Sequence, residues 1–235
     1  MYDNIVSNTR YGHNQIERSG FMSKTKHIQS LGEEIANSVS HGVGALLSMA
    51  GTVVAIVMAC MYSTPIGIVS ASLYGASLII LYLFSTLYHS LTHVGAKKVF
   101  RIFDHCSIFI LILGSYIPMC LVLIGGAIGW TLFGINAFCT VLGIVFNSIN
   151  LERWNKPSLV LYLVMGWSVI IGIRSVIAAV DMTGMILLVG GGLAYTLGII
   201  FFRARHKYMH FIWHIFVLAG SVFHYFFMLF YCFMR

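Results

Sequence analysis

His210 and His214 stand four residues apart, and His89 follows Ser85 at the same spacing. On a helix, positions i and i+4 share a face, so the first pair presents two imidazoles to one point. That is the spacing by which a single helix gives two ligands to one metal ion, and His89 is the candidate third. Three histidines leave one tetrahedral position open for water, the pattern of a catalytic zinc site rather than a closed structural one. Such an ion lowers the pKa of its water toward ~7 and so makes hydroxide at neutral pH. Asp104 is then the candidate base or supporting carboxylate, and Ser85 the donor that holds the water. Glu34, Asn37 and His41, spaced i, i+3, i+7, share one face, while Ser221 continues the stripe of His210 and His214 with His224 nearby. These five are candidates for the hydrogen bonds that orient the ligands.

The elements that must position these groups are membrane helices. Of the 235 residues, 59% are hydrophobic and only 9% charged, where a soluble domain carries about 25% charged residues. Residues 35–96 and 105–151 contain no Asp, Glu, Lys or Arg at all. A spanning helix needs about 20 mostly apolar residues, so each of these runs holds two spans. A water-soluble globule is excluded. The runs are continuously apolar rather than alternating, which leaves helices and not an outer-membrane barrel. The pattern predicts an all-α integral membrane protein, a seven-transmembrane helix bundle with spans at about 35–62, 66–91, 104–124, 128–149, 158–180, 184–202 and 208–233. Residues 1–33 read as a polar cytoplasmic arm without a signal-peptide core, and 34–235 as the membrane domain with no soluble domain appended.

Charge sets the orientation. Twelve of the 14 Lys and Arg residues fall in the arm and in the connections near 97–101, 153–156 and 203–207. The positive-inside rule puts that side in the cytoplasm, hence the N-terminus inside and the C-terminus outside. It also accounts for the net charge of +7 without nucleic acid as a partner. The five cysteines are scattered through apolar runs without metal or redox spacing and read as packing groups. In this topology Glu34, His41, Ser85, His89, Asp104, His210 and His214 all come to one depth, near the cytoplasmic end. Ionisable groups at that position are functional candidates. A second account of them stays open at this point. Histidines at helix ends also sit among lipid headgroups without metal, as assigned to His93, His105 and His206. Asp104 would suit a helix N-terminus, and Glu34, Asn37 and His41 would brace the inner mouth of the bundle.

These motifs together resemble a known family. Glu34-x2-Asn37-x3-His41, Ser85-x3-His89, Phe103-Asp104-His105 through Gly114-Ser115-Tyr116-Ile117-Pro118, and His210-x3-His214 with His224 ten residues on are similar to the hemolysin III branch of the progestin and adipoQ receptor family. The resemblance runs over about 33–225. It implies a seven-helix fold with a cytoplasmic N-terminus and an intramembrane zinc held by His89, His210 and His214, with Asp104 and Ser85 positioning a water. Adiponectin receptors and alkaline ceramidases of this kind look like zinc amidases acting on sphingolipid-type substrates. The bacterial branch is named for haemolysis and linked to membrane homeostasis, which implies a bacterial inner membrane. The expected function is therefore zinc-dependent hydrolysis of an amide or ester in a membrane lipid, with membrane lipids as partners. Two alternatives are a membrane-state sensor or receptor with structural zinc, and a pore-forming cytolysin. A protein-hormone receptor role has no sizeable external segment to rest on. A pore needs a polar path through the whole bilayer, whereas the ionisable residues here gather in one half.

Overall fold

The computed structural model describes residues 29–235. Residues 1–28 of the expected polar arm, including His13 and His27, lie outside the described residues. Helix α1 (Leu31–Tyr62) starts before the apolar run because Ser30 and Glu33 form a capping box. The Ser30 amide donates to Glu33 Oε2 at 2.8 Å, and the Glu33 amide donates back to Ser30 Oγ at 3.4 Å. Two residues connect it to α2 (Pro65–Ser90), which opens on a proline whose missing N–H has no helical partner to lose. Then come α3 (Val94–Pro118), widened after Pro118 into a π-helix over Met119–Ile124, and α4 (Gly126–Trp167). A 3-10 turn at Ser168–Gly172 leads into α5 (Ile173–Ala179). The chain ends in α6 (Met182–Arg203) and α7 (Met209–Met228), the latter finishing as a π-helix over Leu229–Phe233. Gly125 and Gly126 make the turn between α3 and α4 at φ of 64° and 57°, a left-handed conformation that a side chain would strain.

Six helical stretches among the described residues are long and apolar enough to cross a bilayer, and the chain is a multi-pass membrane protein. One of the six, Gly126–Ala179, has 54 residues. Drawn straight it would be about 80 Å long at 1.5 Å per residue, against a hydrocarbon core of about 30 Å. It is not straight. Asn150 leaves the helical region (φ −160°, ψ 91°), and the two limbs fold against each other. Ser158 Oγ donates to Asn147 Oδ1 at 2.7 Å, Asn147 Nδ2 approaches the Tyr162 hydroxyl at 3.5 Å, and Phe146 stacks on Trp154 at 4.2 Å. In a continuous helix Asn147 and Tyr162 would stand about 22 Å apart.

Two expected boundaries move. Charge predicted a loop at 97–101, yet α3 begins at Val94, so Lys97, Lys98 and Arg101 are helical. His93 caps this helix, its Nδ1 accepting from the Ala96 amide at 3.3 Å. Asp104 therefore lies ten residues into α3, about 15 Å from its start, and the helix-end dipole account of Asp104 falls away. Similarly, only Asn150 interrupts the expected loop at 150–157. Its side chain accepts from the Arg153 amide at 3.0 Å and restarts the helix at once.

The packing inverts the polarity of a soluble bundle. On α1 the inward positions are Asn37, Ser40, His41, Gly44 and Ser48, while Val39, Leu46 and Val53 are more than half exposed. Hydrocarbon offers no hydrogen bonds, so polar side chains turn toward one another. α1 packs on α2, α2 on α3, and α7 on both α6 and α1, which brings the first and last described helices together. At Gly44 a Cβ would lie 2.6 Å from the Tyr82 ring, so the missing side chain lets Tyr82 press against the α1 backbone beside His41. The hairpin at Asn150 makes a test of this polar packing. Asn147→Ala leaves the buried Ser158 hydroxyl without its acceptor and should cost about 1–2 kcal/mol. Thermal unfolding in detergent measures it, with Val141→Ala on the exposed face of the same limb as a control near zero.

Candidate metal centre

Four helices meet at the site. α1 supplies Glu34, Asn37, Ser40 and His41; α2 supplies Ser85 and His89; α3 supplies Asp104; and α7 supplies His210 and His214. The His89 ring centre lies 5.1 Å from His210 and 5.0 Å from His214, and the latter two are 4.7 Å apart. One ligand atom from each lies within 4.8 Å of the others, making this the group among the described residues that could hold a metal ion.

Hydrogen bonding fixes which nitrogens face that point. His89 Nδ1 lies 2.7 Å from Glu34 Oε2, and Lys97 Nζ lies 2.9 Å from the other oxygen of the same carboxylate. With the lysine holding the carboxylate ionised, it can only accept, so His89 carries its proton on Nδ1 and keeps a lone pair on Nε2. His214 is set likewise. Its Nδ1 lies 3.2 Å from the Asn37 carbonyl and 3.2 Å from Ser40 Oγ, which itself donates to that carbonyl at 2.9 Å. A carbonyl cannot donate, so Nδ1 of His214 is protonated and Nε2 again is free to bind. His89 Nε2 and His210 Nε2 are buried without any hydrogen-bond partner among the described residues. Buried polar atoms are nearly always paired. Two such imidazole nitrogens converging with a third lone pair are a demand that a metal ion could satisfy, and a carboxylate behind one ligand is the usual support.

Asp104 lies partly buried on α3, near Ser85 and His89. Ser85 itself is buried. His41 stacks flat on His214, with ring centres 3.6 Å apart and planes 11° apart, and meets Tyr82 edge-on at 5.0 Å. Neither of its nitrogens has a partner.

Not every candidate gathers here. Ser221 joins the hydroxyls of Tyr82 and Tyr195, each at 2.8 Å. His224 Nε2 donates to the Leu188 carbonyl on α6 at 3.1 Å. Ser221 shares the stripe of His214 on α7 and His224 lies near it, but seven and ten residues along a helix put them about 10 and 15 Å deeper. Face is legible from spacing; depth of engagement is not. Ser107 and Ser115, on the same helix as Asp104, turn back onto carbonyls of that helix. Conversely, Ser40, Lys97 and Glu33 matter here without having been singled out. Ser40 sits on the Asn37 face and was legible in principle. Lys97 was hidden by its assignment to a loop. Glu33 accepts from the Tyr208 amide at 2.8 Å, tying the start of α7 to α1 where Tyr208 takes a left-handed φ of 61°.

The supporting carboxylate makes a test that needs no activity. His89→Ala and His214→Ala should each abolish stoichiometric metal binding, whereas Glu34→Gln should keep the site and weaken it by about 10–100-fold. Chelator competition followed by elemental mass spectrometry reads both.

Comparison with known proteins agrees with this architecture. The family described as Haemolysin-III related matches residues 29–225. Hemolysin-3 of Bacillus cereus is 40% identical over 208 residues, covering 88% of this chain and 95% of that protein. The Hemolysin-3 homolog of Bacillus subtilis (strain 168) is 42% identical over 201 residues, covering 85% and 94%. The human Monocyte to macrophage differentiation factor is 28% identical over 171 residues, covering 67% and 68%. Shared architecture over nearly the full length of both bacterial relatives leaves one conclusion: the chain belongs to the haemolysin-III related family of membrane proteins.

Proposed function

We propose that the protein is a zinc-dependent hydrolase of an amide or ester linkage in a membrane lipid. The observation that carries this reading is the convergence of His89, His210 and His214 with two buried Nε2 atoms left without partners. Three neutral imidazoles in tetrahedral reach suit zinc, and they leave a position for a reacting group. Bound there, zinc supplies Lewis acidity to polarise a carbonyl and to activate water.

The protein's own groups do the rest. Glu34 and the Asn37 carbonyl hold the two tautomers that keep Nε2 available. Asp104, steadied by Ser85, accepts a proton from the attacking water and returns it to the leaving amine or alcohol. A cavity of about 120 Å³ opens between helices and includes Leu81, Ile112, Trp167, Trp213 and Val217 in its lining. Its apolar wall suits an acyl chain and keeps bulk water from the carbonyl.

The topology supports a substrate reached from the inner leaflet. The two limbs of the folded-back helix at Asn150 count as two crossings, giving seven in all, with the N-terminus cytoplasmic and the C-terminus outside. On that count the histidines lie near the depth of inner-leaflet linkages. The Bacillus relatives carry the name hemolysin, but a pore needs a polar path through the whole bilayer, and the ionisable residues of this bundle gather in one half. That favours a hydrolase over a pore.

Purified, zinc-loaded protein presented with lipid amides and esters should turn over at least one class. Asp104→Asn should lower that rate by about 10²–10⁴-fold while retaining zinc. Folded, zinc-replete protein that hydrolyses none of them would overturn the proposal in favour of a sensor with structural zinc. For topology, an impermeant thiol reagent should label Asn155→Cys only from the cytoplasmic side and Asp181→Cys only from the outside.

A further inference from the structure

A second, larger cavity of about 630 Å³ lies at the end of the bundle that carries the histidines, between the α4 hairpin and the α6–α7 connection. Three cations, Lys156, Arg203 and Arg205, line it together with His206, and His210 forms part of its floor. All three cations are exposed, and none forms an ion pair among the described residues. Contrast Lys97 and Arg101 on the same side of the protein, which are spent on Glu34 and Glu152. The one acid in the lining, Glu33, is engaged by the Ser30 amide and the Tyr208 amide. The cavity is thus a net-positive bowl with unspent donors.

It also adjoins the apolar cavity. Leu159, Leu163, Ile199 and Phe202 line both. Three cations unpaired among the described residues and the His210 imidazole thus stand on one side of these side chains, and a lining of Leu, Ile and aromatic residues on the other. A ligand that uses both cavities must be an amphiphile with an anionic head and an apolar tail. A free small anion would use the larger cavity alone and leave the apolar one unexplained.

We propose that this pair of adjoining cavities binds a lipid with an anionic, phosphate-bearing headgroup, seated on Lys156, Arg203 and Arg205 with its acyl chain in the apolar cavity. The inference rests on the hydrolase reading only for what happens at His210 and names the substrate class for it; binding itself requires neither metal nor turnover. Arg suits a phosphate because its planar fork donates two parallel hydrogen bonds, and Lys adds a point charge.

The test is equilibrium binding to the full chain in neutral detergent, read by lipid retention in native mass spectrometry. Phosphatidylglycerol, phosphatidylcholine and inorganic phosphate are the probes. Wild type should hold phosphatidylglycerol about tenfold to a hundredfold more tightly than phosphatidylcholine, as a few basic groups acting on one anion provide. The K156Q/R203Q/R205Q variant should bring the two lipids level without weakening phosphatidylcholine. A K98Q/R153Q variant removes as many kinds of same-side cation outside the bowl and should keep the preference. Equal binding of both lipids by wild type overturns the proposal, as does a preference that survives the triple variant or disappears in the control. Displacement of phosphatidylglycerol by millimolar inorganic phosphate overturns it in favour of a free-anion site. Because His89→Ala should retain the lipid preference while losing metal, failure of the metal-centre reading and failure of this one give different results.

Discussion

In hydrocarbon a polar side chain has no water to fall back on, and the contact between His89 Nδ1 and Glu34 Oε2 at 2.7 Å is where this protein meets that constraint most sharply. The bond joins α2 to α1, fixes the His89 tautomer, and turns Nε2 inward. Lys97 reaches the same carboxylate from α3, so three helices are held by one acid. His214 is anchored to α1 in the same manner through the Asn37 carbonyl and Ser40. His89 and His214 thus each satisfy Nδ1 against the scaffold and keep Nε2 for the candidate metal centre. A site made this way would be organised before any ion arrived, which would limit the ordering cost of binding.

The same rule shapes parts of the bundle far from the histidines. Asn147, Ser158 and Tyr162 join the limbs at Asn150, and the Tyr82–Ser221–Tyr195 hydroxyls join α2, α7 and α6. Tyr116 accepts from the Val169 amide and donates to the Gly166 carbonyl where the helix tightens into its 3-10 turn. Small residues make such contacts possible: at Gly143 a Cβ would stand 2.2 Å from the Phe109 ring. Apolar helix faces attract one another little in a lipid solvent, so close approach and polar pairing supply specificity. The bundle's cohesion and its candidate site are therefore built from the same kind of polar contact between helices.

The candidate site and the cavities beside it draw on overlapping parts of the chain. The site residues come from α1, α2, α3 and α7. The larger cavity is lined mainly from the limb after Asn150, α6 and the α6–α7 connection, and the smaller one from that limb together with α3, α6 and α7. His210 is the residue common to both, as a member of the triad and of the cationic bowl. Lys156, Arg203 and Arg205, unpaired among the described residues, line the larger cavity, while Lys97 and Arg101 are paired with Glu34 and Glu152.

The sequence by itself determined the solvent and much of the site. Charge-free runs far longer than one span require membrane helices, and the i, i+4 spacing of His210 and His214 requires a shared face. Hydrophobicity and periodicity are local quantities, so they survive in one dimension. Other features were decided only by tertiary structure. Where α3 begins depended on His93 as a cap and on Lys97 finding Glu34, a partner 63 positions away. Whether Ser221 and His224 joined the ligands depended on depth, and neighbouring helices settled that by offering Tyr82, Tyr195 and Leu188 instead. Which imidazole nitrogen faces inward, and which cations stay unspent, likewise depend on contacts between residues distant in the chain. Spacing along a helix fixes a direction around its axis; only the packing of the other helices says what waits in that direction.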